Sequence, residues 1–161
     1  MVDDFVKGHP AASQPRPRAK LREAYFGADS VAHLIVAEKA GRLVGMGQWT
    51  RTYDMFWAMY GARVEWLYVR PEARGLGIPA SIVAEICGQV RADGGEFLQG
   101  GADSDGIGNL YERVAIGAPG RTCFLSAEAF QIFADLAGAH PRDIVRQLPA
   151  PALNRTEARP R

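Results

Sequence analysis

The sequence predicts a single α/β (α+β) domain, a mixed central β-sheet flanked by helices. Three observations lead there. Two branched, apolar segments meet across a short Gly-containing turn between Ala32 and Thr52. A strand, a glycine-containing loop and a helix follow in direct succession from Val64 to about Val90. A strand and then a helix return between Arg121 and Ala137.

The 161 residues are enough for one domain with a sizeable core. Residues 1–17 read as a loose leader, 18–147 as the domain and 148–161 as a disordered tail rich in Pro, Ala and Arg. Arg18–Phe26 suits a short helix stopped by Gly27. Ala32–Glu38 and Leu43–Thr52 form a hairpin about the Lys39–Arg42 turn, and Gly61 is expected to supply another turn. Val64–Val69 is a strand with Val64, Trp66 and Tyr68 on one face and Glu65, Leu67 and Val69 on the other, inward, face. Ile82, Val83, Ile86, Cys87 and Val90 mark one side of a helix, with Pro79 in its first turn and Gly94-Gly95 at its end. Glu96–Gly101 reads as a strand and Asp105–Ile116 as a helix weakened by Gly106 and Gly108. Arg121–Leu125 is a strand, Ser126 caps a helix over Ala127–Ala137, and Pro141–Gln147 adds a turn or two.

A formal charge of +1 recommends neither nucleic acid nor an acidic membrane surface as partner. No apolar run approaches the length of a spanning helix. The start, Met1-Val-Asp-Asp-Phe, lacks a signal peptide's basic and apolar regions, so the cytoplasm is the expected compartment. Cys87 and Cys123 are expected as free, packed thiols. His9, His33 and His140 are scattered without ligand spacing, so no metal is expected.

The loop Arg74-Gly-Leu-Gly-Ile-Pro-Ala80, between strand and helix, has the makings of a phosphate site. Glycines let the backbone approach, loop amides donate, the helix N-terminus adds positive potential and Arg74 adds a charge. A turn that merely needs glycine would look the same. Gly75-x-Gly77-x-x-Ala80 also matches a dinucleotide fingerprint. That fingerprint follows its strand directly and wants an acid ending the next strand. Here Arg70–Arg74 intervene, and Glu96 precedes the next strand.

The run from Val64 to Ile78, Val-Glu-Trp-Leu-Tyr-Val-Arg-Pro-Glu-Ala-Arg-Gly-Leu-Gly-Ile, resembles the central strand and acyl-CoA loop of the GNAT family (GCN5-related N-acetyltransferases). The family's loop pattern is Arg/Gln-x-x-Gly-x-Gly/Ala. The likeness extends from about Leu34 to Ala137 and is greatest to the diamine acetyltransferase branch. That branch shares the strand Glu, the downstream Leu110-Tyr111 and a strand-plus-helix like Thr122–Ala129. The resemblance implies the GNAT fold and transfer of an acetyl group from acetyl-CoA to a primary amine of a small molecule, in a ternary complex. It implies cofactor contacts at Leu67, Tyr68, Val69, Arg74, Gly75, Leu76, Gly77, Ile78 and Ala80. Tyr111 would protonate the departing thiolate, and Glu65 would take the amine's proton. Glu65 could equally be a sheet residue paired with Arg51 or Arg63. Asp54, Trp57 and Tyr60 would lie beside the acceptor, where aromatic walls and acidic charge suit an amine.

Four departures stand out. Pro79 replaces the last Gly or Ala of the loop and removes one amide donor. Trp66 replaces a second acid. Ser104 takes the place of the usual Asn seven residues before Tyr111 and is expected at the cofactor. Finally, residues 1–20 hold no credible first strand, so either a sheet edge is open or a partner subunit covers it; a homodimer is expected. A non-catalytic acyl-CoA-binding module with this fold is the competing reading.

Overall fold

The computed structural model describes residues 17–101, 116–117 and 122–147. In chain order they form α1 (Arg18–Phe26), β1 (His33–Lys39), β2 (Arg42–Asp54) and β3 (Met59–Val69), then a 3₁₀ turn over Pro71–Ala73 and α2 (Ile78–Ala92). β4 (Phe97–Gly101), β5 (Ile116–Gly117), β6 (Thr122–Ser126), α3 (Ala127–Asp135) and α4 (Pro141–Gln147) complete the order. The strands make one sheet in the order β1-β2-β3-β4-β6-β5. β3 and β4 run parallel, joined through α2, and every other neighbouring pair is antiparallel. This is the mixed sheet with flanking helices that the sequence predicts. The expected helix over 105–116 lies mostly outside the described residues, and Ile116 itself belongs to β5.

The core sits where α2 crosses the sheet. Ile82, Val83, Ile86, Cys87 and Val90, the residues whose spacing marked a helical face, are all buried. Each such side chain withdrawn from water contributes about 1.5–3 kcal/mol before entropy is counted. Their partners include Trp49, Ala62, Val64, Val69, Leu98, Phe130 and Phe133. α2 can lie this close because β2 presents Gly45 and Gly47 to it. A Cβ on Gly47 would stand 2.5 Å from Ile82 Cγ2, and one on Gly45 would stand 3.1 Å from Ile78 Cγ2. α3 joins the same layer, where Gly88 of α2 admits Ala137 to within 2.8 Å of its Cβ position. Across the sheet, α1 buries none of its residues and is tied on by the Tyr25 hydroxyl, which donates to Gln48 Oε1 at 2.9 Å. Partial burial raises the Tyr25 phenol above its usual range.

Gly61 is not a turn residue. It lies inside β3, and the β2–β3 reversal falls at residues 55–58, where Ala58 takes φ 52°. Glycine is needed at 61 for close approach: a Cβ there would meet the Phe97 carbonyl oxygen at 2.4 Å and its ring at 2.5 Å. Gly61→Ala is therefore expected to cost roughly 1–3 kcal/mol, since backbone cannot yield as a side-chain tip can. A lowered urea midpoint is the measurement. Cys87 is fully buried, and burial pushes its thiol up, so native protein should resist alkylation there until denatured. Peptide mapping after labelling checks this.

Candidate active site

β3 changes partners along its length. Gly61 to Val64 pair with Phe97 to Gly100 of β4, and the parallel ladder stops there. From Glu65 to Val69 the strand keeps β2 on one side only, among the described residues. The end of the β4 ladder therefore falls within β3, just ahead of the glycine loop.

The change coincides with a bulge. Trp49 of β2 pairs with Val64 and the adjacent Gln48 pairs with Trp66, so Glu65 is the extra residue. The bulge reverses the strand's alternation. Val64 is buried before it, whereas after it Val69 is buried and Leu67 packs on the core. Glu65 and Trp66 consequently face away from α2 together, both exposed. The expected inward Glu65, grouped with Leu67 and Val69, is corrected: its carboxylate pairs in the open with Arg63, Nε to Oε1 at 3.3 Å. Strict period-two reading misses this because a bulge leaves no mark in residue type. Trp66 and Tyr68 fall on the same side as Gln48 and its donor Tyr25, opposite the core.

Downstream, the 3₁₀ turn is closed by Ala73 N–H to the Arg70 carbonyl at 2.9 Å. Arg70 is held by its own Nε on the Leu43 carbonyl, at 3.0 Å. Gly75 and Gly77 then take φ 76° and 77°, the left-handed region where glycine carries no Cβ penalty. Gly77 is the N-cap of α2, with Ile78 and Pro79 in the first turn as expected. No described backbone carbonyl accepts from the amides of Gly75, Leu76 or Gly77. Such orphan donors at a helix start are anion-binding groups. Arg74 reaches back to the Val69 carbonyl, at 3.4 Å from its Nε.

The structure brings together Glu65, Leu67, Tyr68, Val69, Arg74, Gly75, Leu76, Gly77, Ile78 and Ala80, because strand and loop are continuous. It does not gather Asp54, Trp57 and Tyr60. Asp54 Oδ1 accepts from the amides of Phe56 and Trp57, at 2.9 and 3.0 Å, and so caps its own turn. Trp57 meets Phe97 edge-on, with ring centroids 6.3 Å apart. Tyr60 is exposed against Tyr53 on the other face. Tyr111 and Ser104 lie outside the described residues. What the sequence did not reveal is that His140, Pro141 and Arg142 reach the glycine loop. Pro141 backs Gly77, and with Ala37–Lys39, Val44, Leu76, Ile78 and Ser81 these residues line a cavity of about 610 Å³. The buried Ser81 Oγ has no hydrogen-bond partner among the described residues. No local signal could join positions so far apart in the chain.

A sequence profile described as the acetyltransferase (GNAT) family matches residues 1–115. The chain belongs to the GNAT acetyltransferase family. Solved structures show the same fold at low identity. A GNAT-family protein from Desulfovibrio desulfuricans is 19% identical, with TM-score 0.53 over 80% of this chain and 90% of that one. The NatC complex bound to Gag peptide and CoA gives TM-score 0.54 at 11% identity, covering 78% and 88% of the two chains. The AtaTR complex bound with AcCoA gives 0.53 at 13%, covering 73% and 83%. Among curated proteins none matches the chain. In this GNAT domain no described helix is long and apolar enough to cross a membrane. No three His, Cys, Asp or Glu side chains are grouped to hold a metal among the described residues.

Because the Arg63–Glu65 pair is exposed, Glu65→Gln is expected to change stability by less than about 1 kcal/mol. An unchanged urea midpoint would verify it, whereas a buried, inward Glu65 would give a clear shift.

Proposed function

We propose that this GNAT domain transfers an acetyl group from acetyl-CoA to a primary amine of a small molecule, by direct attack in a ternary complex. The observation that carries the reading is the junction of two features on one continuous segment. The β3–β4 ladder ends at Val64, beside the Glu65 bulge, and a loop with orphan amides follows on the same segment at Gly75–Gly77. The first fits an extended amide-bearing arm, and the second fits a pyrophosphate. Arg74, beside the loop, adds charge. Acetyl-CoA, as co-substrate, supplies the activated acyl group.

The protein's part is alignment and proton handling. Leu67–Val69 hold the arm along the edge, and a backbone amide there faces the carbonyl oxygen as charge develops on it. The amine nitrogen bonds to the carbonyl carbon as the carbon–sulfur bond breaks. Glu65, exposed at the bulge, receives the amine's proton directly or through water, and Tyr111 protonates the thiolate. Trp66, on the same face as Glu65, offers an aromatic surface to the amine.

A second reading, a non-catalytic acyl-CoA-binding module, is favoured by Pro79, which removes one amide hydrogen at the head of α2. A thermal-shift panel comes first: acetyl-CoA and CoA should raise the melting temperature and NAD should not. No shift with any CoA species would overturn both readings. Turnover is then followed as CoA-thiol release with a panel of amines. Tyr111→Phe is expected to lower it by about 10²-fold or more, without loss of the thermal shift. Stabilisation by CoA with no release on any amine would leave the binding module.

A further inference from the structure

Acetyl transfer leaves the cavity beside the glycine loop without a use. Its volume, about 610 Å³, is that of a small-molecule site. Val44, Leu76 and Ile78 give it an apolar wall, and Leu76 is 37% exposed there. Four hydrogen-bond donors share the lining: Lys39, Ser81, His140 and Arg142. His140 Nδ1 accepts from the Arg142 amide at 3.3 Å, so Nε2 carries the ring's hydrogen. The Ser81 Oγ is buried and has no hydrogen-bond partner among the described residues, a state that costs stability until something pairs with it. Two cations, Lys39 and Arg142, stand against one acid, Glu38.

The cavity lies apart from the course proposed for acyl-CoA. Its strand residues belong to the end of β1 and the start of β2, whereas the β3–β4 ladder ends on the far side of β3. Residues 140–142 also fall beyond 1–115, the segment that matches the family profile. We propose that this cavity binds a small apolar carboxylate, an alkyl or aryl acid, at a site separate from that of acyl-CoA. The carboxylate accepts from the Ser81 hydroxyl and is neutralised by Lys39 and Arg142. The hydrocarbon body covers Val44, Leu76 and Ile78, withdrawing them from water. An amine would meet the two cations with like charge, and a neutral amide would forgo them. A bare small anion would leave the apolar wall wet.

Calorimetric titration of the full chain with octanoate and with phenylacetate tests this. One molecule per chain is expected, with octanamide, octylamine and acetate each at least tenfold weaker than octanoate. Ser81→Ala should weaken octanoate about tenfold and leave the urea midpoint equal or higher, because it deletes an unpartnered hydroxyl. A merely structural serine would lower the midpoint instead. Replacing Lys39 and Arg142 together by Ala should weaken octanoate by a similar factor and flatten its salt dependence. With CoA at saturation, octanoate should still bind one to one. Failure of both acids to bind would overturn the proposal, as would equal binding of the amide or the amine. Unaltered affinity in the variants would do so too, and displacement by CoA would assign the cavity to CoA. The acid titrations need no CoA, so their failure is distinct from failure of the acetyl-transfer reading.

Discussion

A strand is held in place by the strands it pairs with, and β3 changes its partners part-way along. From Gly61 to Val64 it pairs with both β2 and β4; from Trp66 to Val69 its strand partner among the described residues is β2. The interruption is deliberate in the physical sense that the bulge fixes it. One extra residue bends the strand, ends the parallel ladder and turns Glu65 and Trp66 to the same side. The position of the open edge, the exposure of the candidate base and the reach to the glycine loop all follow from that insertion.

The sequence made the architecture legible where composition and spacing have a single physical solution. The helical stripe of Ile82, Ile86 and Val90 needs a face to bury, and the branched strands around Ile35 and Val64 supply it. Positive φ at Gly75 and Gly77 was foreseeable from a tight strand-to-helix connection. Other features were hidden for reasons equally physical. Gly61 read as a turn because glycine is permissive, whereas its real constraint is the ring and carbonyl of Phe97, thirty-six positions along the chain. Glu65 read as buried because alternation was extended through a bulge. Asp54 read as a substrate contact, yet a carboxylate at the head of a turn has a nearer use in accepting from that turn's own amides.

The candidate site also shows how the two faces of one sheet divide their tasks. The α2 face is packed from Ile82 to Val90, and the helix it holds begins at the glycine loop. The opposite face is thinly covered by α1, whose contact through Tyr25 and Gln48 is polar and half-buried. Packing is thereby concentrated behind the loop, while Glu65 and Trp66 stay exposed on the opposite face.

Gly45 and Gly47 lie apart from the glycine loop and still set where it sits. The helix rests on their missing side chains, and the loop's donors are the first groups of that helix. A methyl group at either position would lift Ile78 or Ile82 by several tenths of an ångström and carry the amides with them. Divergence of this chain toward a new acceptor could therefore rewrite the α1 face residue by residue. Across the sheet it would find two positions where any side chain first has to displace Ile78 or Ile82.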